Sequence, residues 1–145
     1  MKLFHNFFCR DIAAMSRFYQ AVLELPEDAV SHSPIYRSVV TPQFQFGFHA
    51  PAAYDLLHLS ERKPQDSQAL EPEITGYPTF MLDHPAAVDA AVQRALAHGG
   101  RCIKGPYATY YSEWQAVMAD PEGHVFRFST VGLPAGVSAP VLNFP

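Results

Sequence analysis

Arg127 stands in the segment DPEGHVFRF, among residues that are otherwise apolar, and a guanidinium there poses the first chemical question of the chain. The group is planar, permanently charged, and carries its N–H donors in a fork that matches a carboxylate or a phosphate. Asp120 at the first corner, Pro121 at the second and Gly123 at the fourth are the residues a type I turn asks for, so the segment reads as a turn that launches a strand. Along that strand Phe126 and Phe128 share one face, while Val125, Arg127 and Ser129 share the other. The phenylalanine face is core. Arg127 then has three readings: a solvated face, a surface ion pair with Glu113 or Glu122 worth under ~1 kcal/mol, or a receptor for an anion.

The stretch YATYYSEWQ places Tyr107, Tyr110, Tyr111 and Trp114 within eight positions. Such side chains offer apolar area with a polar tip, which suits core packing, a partner subunit or stacking on a flat ligand. Aromatic walls around an arginine favour a planar, anionic ligand. The histidines say less. His5 near the chain start is either a half-buried strand residue or a ligand, and His84 starts a helix. His98 ends a helix, where a cation suits the dipole, while His32, His58 and His124 fall in loops. None belongs to a His-Glu-x-x-His helix, no glycine-rich phosphate loop occurs, and the serines and cysteines lack a recognisable catalytic partner. The residues leave catalysis open; a histidine titrating near neutrality is the group available for acid–base work.

With 145 residues the chain suits one compact domain that needs no disulfide or metal to fold. Hydrophobic residues make up 48%, charged residues 17%, and the net charge is -4 with no basic cluster, which argues against a nucleic-acid surface. Cys9 and Cys102 are far apart and read as reduced thiols. No stretch approaches the ~20 apolar residues of a membrane span, and MKLFHNFFCRD is too short and too polar for a signal peptide. These features predict a cytoplasmic protein whose partner is a small molecule, with no nucleic acid and no membrane.

The positioning elements occur twice in one order. A strand at Lys2 to Cys9 precedes the N-cap Asp11 and a helix over IAAMSRFYQAVLEL, whose Ile12, Met15, Phe18, Tyr19, Val22 and Leu23 form one apolar stripe. Strands YRSVVT and FQFGFHA follow, with Val30 to His32 a weaker third candidate. From Tyr77 the order returns: strand YPTFML, capping Asp83, helix PAAVDAAVQRALAH with Pro85 near its start and Gly99-Gly100 after it, then strands near RCIK, WQAVMA and HVFRF. Asp11 corresponds to Asp83, Gln20 to Gln93 and Leu23 to Leu96 once one inserted residue is allowed. The predicted organisation is a first module over about 1–58, a polar linker over about 59–74, a second module over about 75–130, and a coil tail over 131–145.

Two β-α-β-β-β modules, the segment RDIAAMSRFYQAVLELP and the ending W…DPEGHVFRF together resemble the vicinal oxygen chelate superfamily, which includes glyoxalase I, the extradiol dioxygenases and the bleomycin- and fosfomycin-resistance proteins. The resemblance covers about Lys2 to Ser129. It implies an α+β fold in which curved mixed sheets form a cup around a ligand, within a chain or between two chains, so a homodimer is expected. It also implies four cup-facing strand positions that hold a divalent metal in the metal-using members. Those positions fall on His5, on Tyr77 (six residues before Asp83, as His5 is before Asp11), on Gly47 or else His49, and on Arg127. An arginine where a carboxylate is expected would repel a cation, so no cofactor is expected. His5, His49, Tyr77, Thr79, Trp114 and Arg127 are the residues expected to line the cup. The reading that results is a protein that binds a small anionic or aromatic molecule without the usual metal. The alternative is a lyase or dioxygenase with an atypical ligand set or no metal, in which His5 or Tyr77 acts as acid or base; if an ion is held, His5 and His49 are the pair that could hold it.

Overall fold

The computed structural model of the chain describes residues 1–66 and 68–142. It is a mixed α+β fold with two mixed sheets, one of three strands and one of four. Two compact units divide the chain: residues 1–73 together with 121–124, and residues 74–120 together with 125–145.

In the first unit, strand β1 (Leu3–Phe8) leads into helix α1 (Ile12–Leu23), followed by β2 (Tyr36–Val40), β3 (Phe44–His49) and the short helix α2 (Ala53–Leu56). The sheet order is β1-β3-β2, with β3 parallel to β1 and antiparallel to β2. Helix α1 begins where the sequence demands it, because the Asp11 carboxylate accepts the N–H of Ala14 at 2.9 Å. Its buried stripe of Ile12, Met15, Phe18, Tyr19 and Val22 meets β3, where Tyr19 lies edge-on to Phe46 at 4.7 Å and stacked on Phe48 at 5.2 Å. Tyr19, Phe46 and Phe48 are all almost fully buried, and each contributes about 1.5–3 kcal/mol through removal from water. Val30 to His32 is not a strand. Only single bridges at Glu27 and Ser33 reach β2 there, since Ser31 and Ser33 offer hydroxyls to the local backbone and to Gln45 instead of an apolar face.

In the second unit, β4 (Thr79–Met81), helix α3 (Pro85–Ala97), β5 (Arg101–Ala108), β6 (Glu113–Ala119) and β7 (Val125–Val131) give the order β4-β7-β6-β5. The core is α3's Val88, Ala91, Val92 and Ala95 against Ala116, Met118, Phe126 and Phe128. The cap of α3 differs from the expected one. His84, not Asp83, is the N-cap, its Nδ1 accepting the N–H of Ala87 at 3.1 Å, because Pro85 already fills the first helical position. Gly99 follows the helix with φ of 92°, the left-handed conformation expected of that glycine. Beyond β7, residues 132–142 are largely coil; the tail's remaining positions lie outside the described residues.

Turn residues 121–124 belong to the first unit, and Glu122 shows why. Its two carboxylate oxygens accept the backbone N–H groups of Arg10 at 2.7 Å and Asp11 at 2.8 Å, just where β1 hands over to α1. His124 stacks on Phe7 at 4.5 Å and bonds the Phe8 carbonyl at 3.0 Å. Removing the buried carboxylate by Glu122→Ala leaves two backbone donors without their acceptor, so unfolding free energy should fall by about 2–4 kcal/mol in urea titrations. A loss below about 0.5 kcal/mol would show that water replaces the carboxylate at no cost.

Candidate functional site

Residue pairing decides which predicted site residues share a surface. In the second unit, Thr79 pairs with Arg127 across the parallel β4–β7 ladder, and Val117 pairs with Arg127 from β6. Arg127 Nε donates to Thr79 Oγ1 at 3.0 Å, and the guanidinium lies over the Tyr77 ring at 5.3 Å. Tyr77, Thr79 and Arg127 therefore come together. Trp114 does not join them: it pairs with Thr130 on the other face of the sheet, and its indole N–H donates to Asp89 of α3 at 2.8 Å. Its role is to fasten the helix to the sheet.

The Arg127 face continues along β7 and β6 with polar residues that sequence reasoning did not single out as a group. Ser129 is fully buried and donates to Glu113 Oε2 at 2.5 Å. Gln115, also buried, donates to the Tyr107 hydroxyl and accepts from Tyr111 Oη at 2.8 Å. Arg127 and Glu113 are both only partly exposed. Among the described residues, neither has an oppositely charged partner within 4.0 Å. The ion pair between Arg127 and Glu113 or Glu122 is thus not formed. The signal for this face was the alternation Glu113, Gln115, Val117 against Val125, Arg127, Ser129, legible once both strands are paired.

In the first unit, His5 and His49 stand on opposite faces of the sheet. His5 pairs with Phe46 and packs on it and on Phe7, the side that α1 covers. Gly47 and His49 pair with Asn6 and Phe8, on the other side. There Tyr36 Oη donates to Asn6 Oδ1 at 3.1 Å, and Gln45 donates to Ser38 at 3.1 Å and to Ser31 at 3.2 Å. The Tyr36 hydroxyl and Asn6 Oδ1 occupy the space that a side chain at Gly47 would need. Burial holds the Tyr36 phenol above its usual range, which keeps it a neutral donor.

These placements allow the superfamily's metal to be weighed against the residues. Divalent ions in imidazole and carboxylate sites need several donors converging from one side. In the first sheet His49 offers one imidazole on the face of Gly47, His5 is turned to the other face, and position 47 has no side chain. In the second unit a cation, Arg127, holds the position of the expected carboxylate. The matched residues do not fit a conventional divalent site. A different group, Cys9, Glu122 and His124, brings sulfur, carboxylate and imidazole within 4.8 Å of one another. It lies beside a pocket of ≈ 350 Å³ lined by Phe8, Tyr54, Lys63 and Pro72 among others. Glu122 already accepts two backbone N–H groups there, which is a structural duty.

His5 Nε2 and His49 Nδ1 are buried without a hydrogen-bond partner among the described residues, and burial lowers the pKa of both below the ordinary 6.5. The unfolded chain then binds protons that the folded chain refuses. Their contribution to stability is complete above that ordinary value and is lost as pH falls through it toward the folded values. Urea midpoints should fall between about pH 7.5 and about pH 5.5, and the fall should shrink in His5→Phe. An unchanged slope in that variant would contradict a buried neutral His5.

The comparisons agree with this architecture. The family model described as a glyoxalase-like domain matches residues 3–129. A glyoxalase/bleomycin resistance protein/dioxygenase family enzyme from Burkholderia phytofirmans PsJN is 41% identical over 88% of this chain and 96% of its own, with a TM-score of 0.80. A glyoxalase/bleomycin resistance protein from Albidiferax ferrireducens T118 is 18% identical over 90% of this chain and 97% of its own, at a TM-score of 0.67. The fosfomycin resistance protein FosX from Mesorhizobium loti is 15% identical over 92% of each chain, at 0.62, a likeness of fold alone. No curated protein matches the chain. With its family model matched across nearly the whole length, the chain belongs to the glyoxalase-like domain family of the vicinal oxygen chelate superfamily.

Proposed function

We propose that the protein binds a small organic anion, aromatic in character, on the Arg127 face of its second unit, without the divalent metal used by other members of the superfamily. The observation that carries this reading is a half-buried guanidinium with no carboxylate beside it among the described residues. A desolvated, uncompensated charge is costly, and an incoming carboxylate or phosphonate removes the cost while forming charge-assisted hydrogen bonds. Thr79 holds Nε and Tyr77 supports the guanidinium plane, so the fork is fixed before the ligand arrives and little side-chain entropy is lost on binding.

The donor set favours binding over metal-assisted turnover. Lyase and dioxygenase chemistry in this superfamily relies on an ion to polarise the substrate's oxygens, and Arg127 supplies instead a fixed charge that orients an anion. Tyr77 and Thr79 add hydrogen-bonding capacity at the same spot.

Thermal shift with benzoate, 1-naphthoate and phenylphosphonate tests the proposal. Ligand at about 100 times its Kd stabilises the native state by about 2.7 kcal/mol, which is a readily measured rise in Tm. We expect the rise with at least one of the three, its loss in Arg127→Gln, and its retention in the surface control Arg17→Gln. No rise with any acid, or an equal rise in Arg127→Gln, would refute the assignment.

A further inference from the structure

The same face carries a second uncompensated charge. Glu113 is half-buried, its Oε2 accepts from the buried Ser129 hydroxyl at 2.5 Å, and no cation lies within 4.0 Å of it among the described residues. A carboxylate and a guanidinium on one sheet face ordinarily find each other if their side chains can reach. Here the sheet holds them apart. Arg127 and Ser129 are two residues apart on β7, about 7 Å along the strand, and Glu113 is engaged at the Ser129 end. Thr79 and Tyr77 draw the guanidinium toward β4, at the opposite edge of β7 from the strand that carries Glu113.

From this separation we infer that the ligand is bifunctional: an acid group at Arg127 and, roughly one aromatic ring away, a protonated amine or other strong hydrogen-bond donor at Glu113. The inference rests on the anion-receptor reading of Arg127 and adds the other end of the molecule. Each protein charge is then neutralised by the ligand group of opposite sign, and a ligand with only one of the two groups leaves the other charge uncompensated. The residues beside Glu113 suit this division. Gln115 is held between Tyr107 and Tyr111, so its amide is already bonded at both ends and leaves Glu113 as the strong acceptor at that end of the face.

Calorimetric titration with benzoate and with 4-(aminomethyl)benzoate separates the two readings. In the wild-type protein the amino acid should bind at least fivefold more tightly than benzoate. In Glu113→Gln, which preserves an acceptor for Ser129, that advantage should vanish. In Arg127→Gln both should weaken at least tenfold. If benzoate binds through Arg127 and the amine adds nothing, or if its advantage survives in Glu113→Gln, the bifunctional ligand is refuted and the anion receptor stands. If neither compound binds the wild-type protein, both readings fail together.

Discussion

The proposed function depends on one positive charge, Arg127, that has no carboxylate within 4.0 Å among the described residues. Arg127 cannot lose its proton, so its environment must either solvate it, pair it or leave it poised for an outside anion. Here it is half-buried, and no carboxylate lies within 4.0 Å of it among the described residues, which is what supports the anion-receptor proposal. Parallel pairing with Thr79 fixes the guanidinium at Nε, the Tyr77 ring lies beneath it, and the carboxylate on the same face is tied to Ser129.

The rest of the second unit makes that placement rigid. Phe126 and Phe128 alternate with Arg127 and are fully buried against α3, so the strand cannot rotate to release the arginine without exposing both rings. Trp114 contributes from the helix side by bonding Asp89. In the first unit the open sheet face is closed differently: Tyr36, Asn6 and Gln45 form a neutral hydrogen-bonded layer over Gly47, where a larger residue would clash.

Much of the fold was legible because its signals are local. The Asp11 cap, the apolar stripe of α1, the Asp-Pro-Glu-Gly turn and the Gly99 stop each follow from a single residue's conformational or hydrogen-bonding preference. The phase of each strand was legible only where its two faces differ in chemistry. In HVFRF the faces differ sharply, and Arg127 was placed correctly relative to the core. In LFHNFF both faces carry aromatics, so counting six residues back from Asp11 could not say which side His5 takes, and pairing with Phe46 put it under α1. Trp114 was misjudged for a similar reason, since WQAVMA offers apolar residues on both faces and the partner, Asp89, lies on a helix 25 residues earlier. Glu122 looked like a turn residue, and its bonds to Arg10 and Asp11 are far too distant in sequence for any local pattern to reveal.

The guanidinium itself can report whether it receives an anion. With the protein labelled in 15N, the Nε–H resonance assigned to Arg127 by its disappearance in Arg127→Lys should shift saturably as benzoate is added, with the other arginine resonances unmoved. A resonance that stays fixed up to saturating benzoate, or that instead broadens and shifts on addition of Mn(II) or Ni(II), would contradict the account of Arg127 as an anion receptor in place of a metal site.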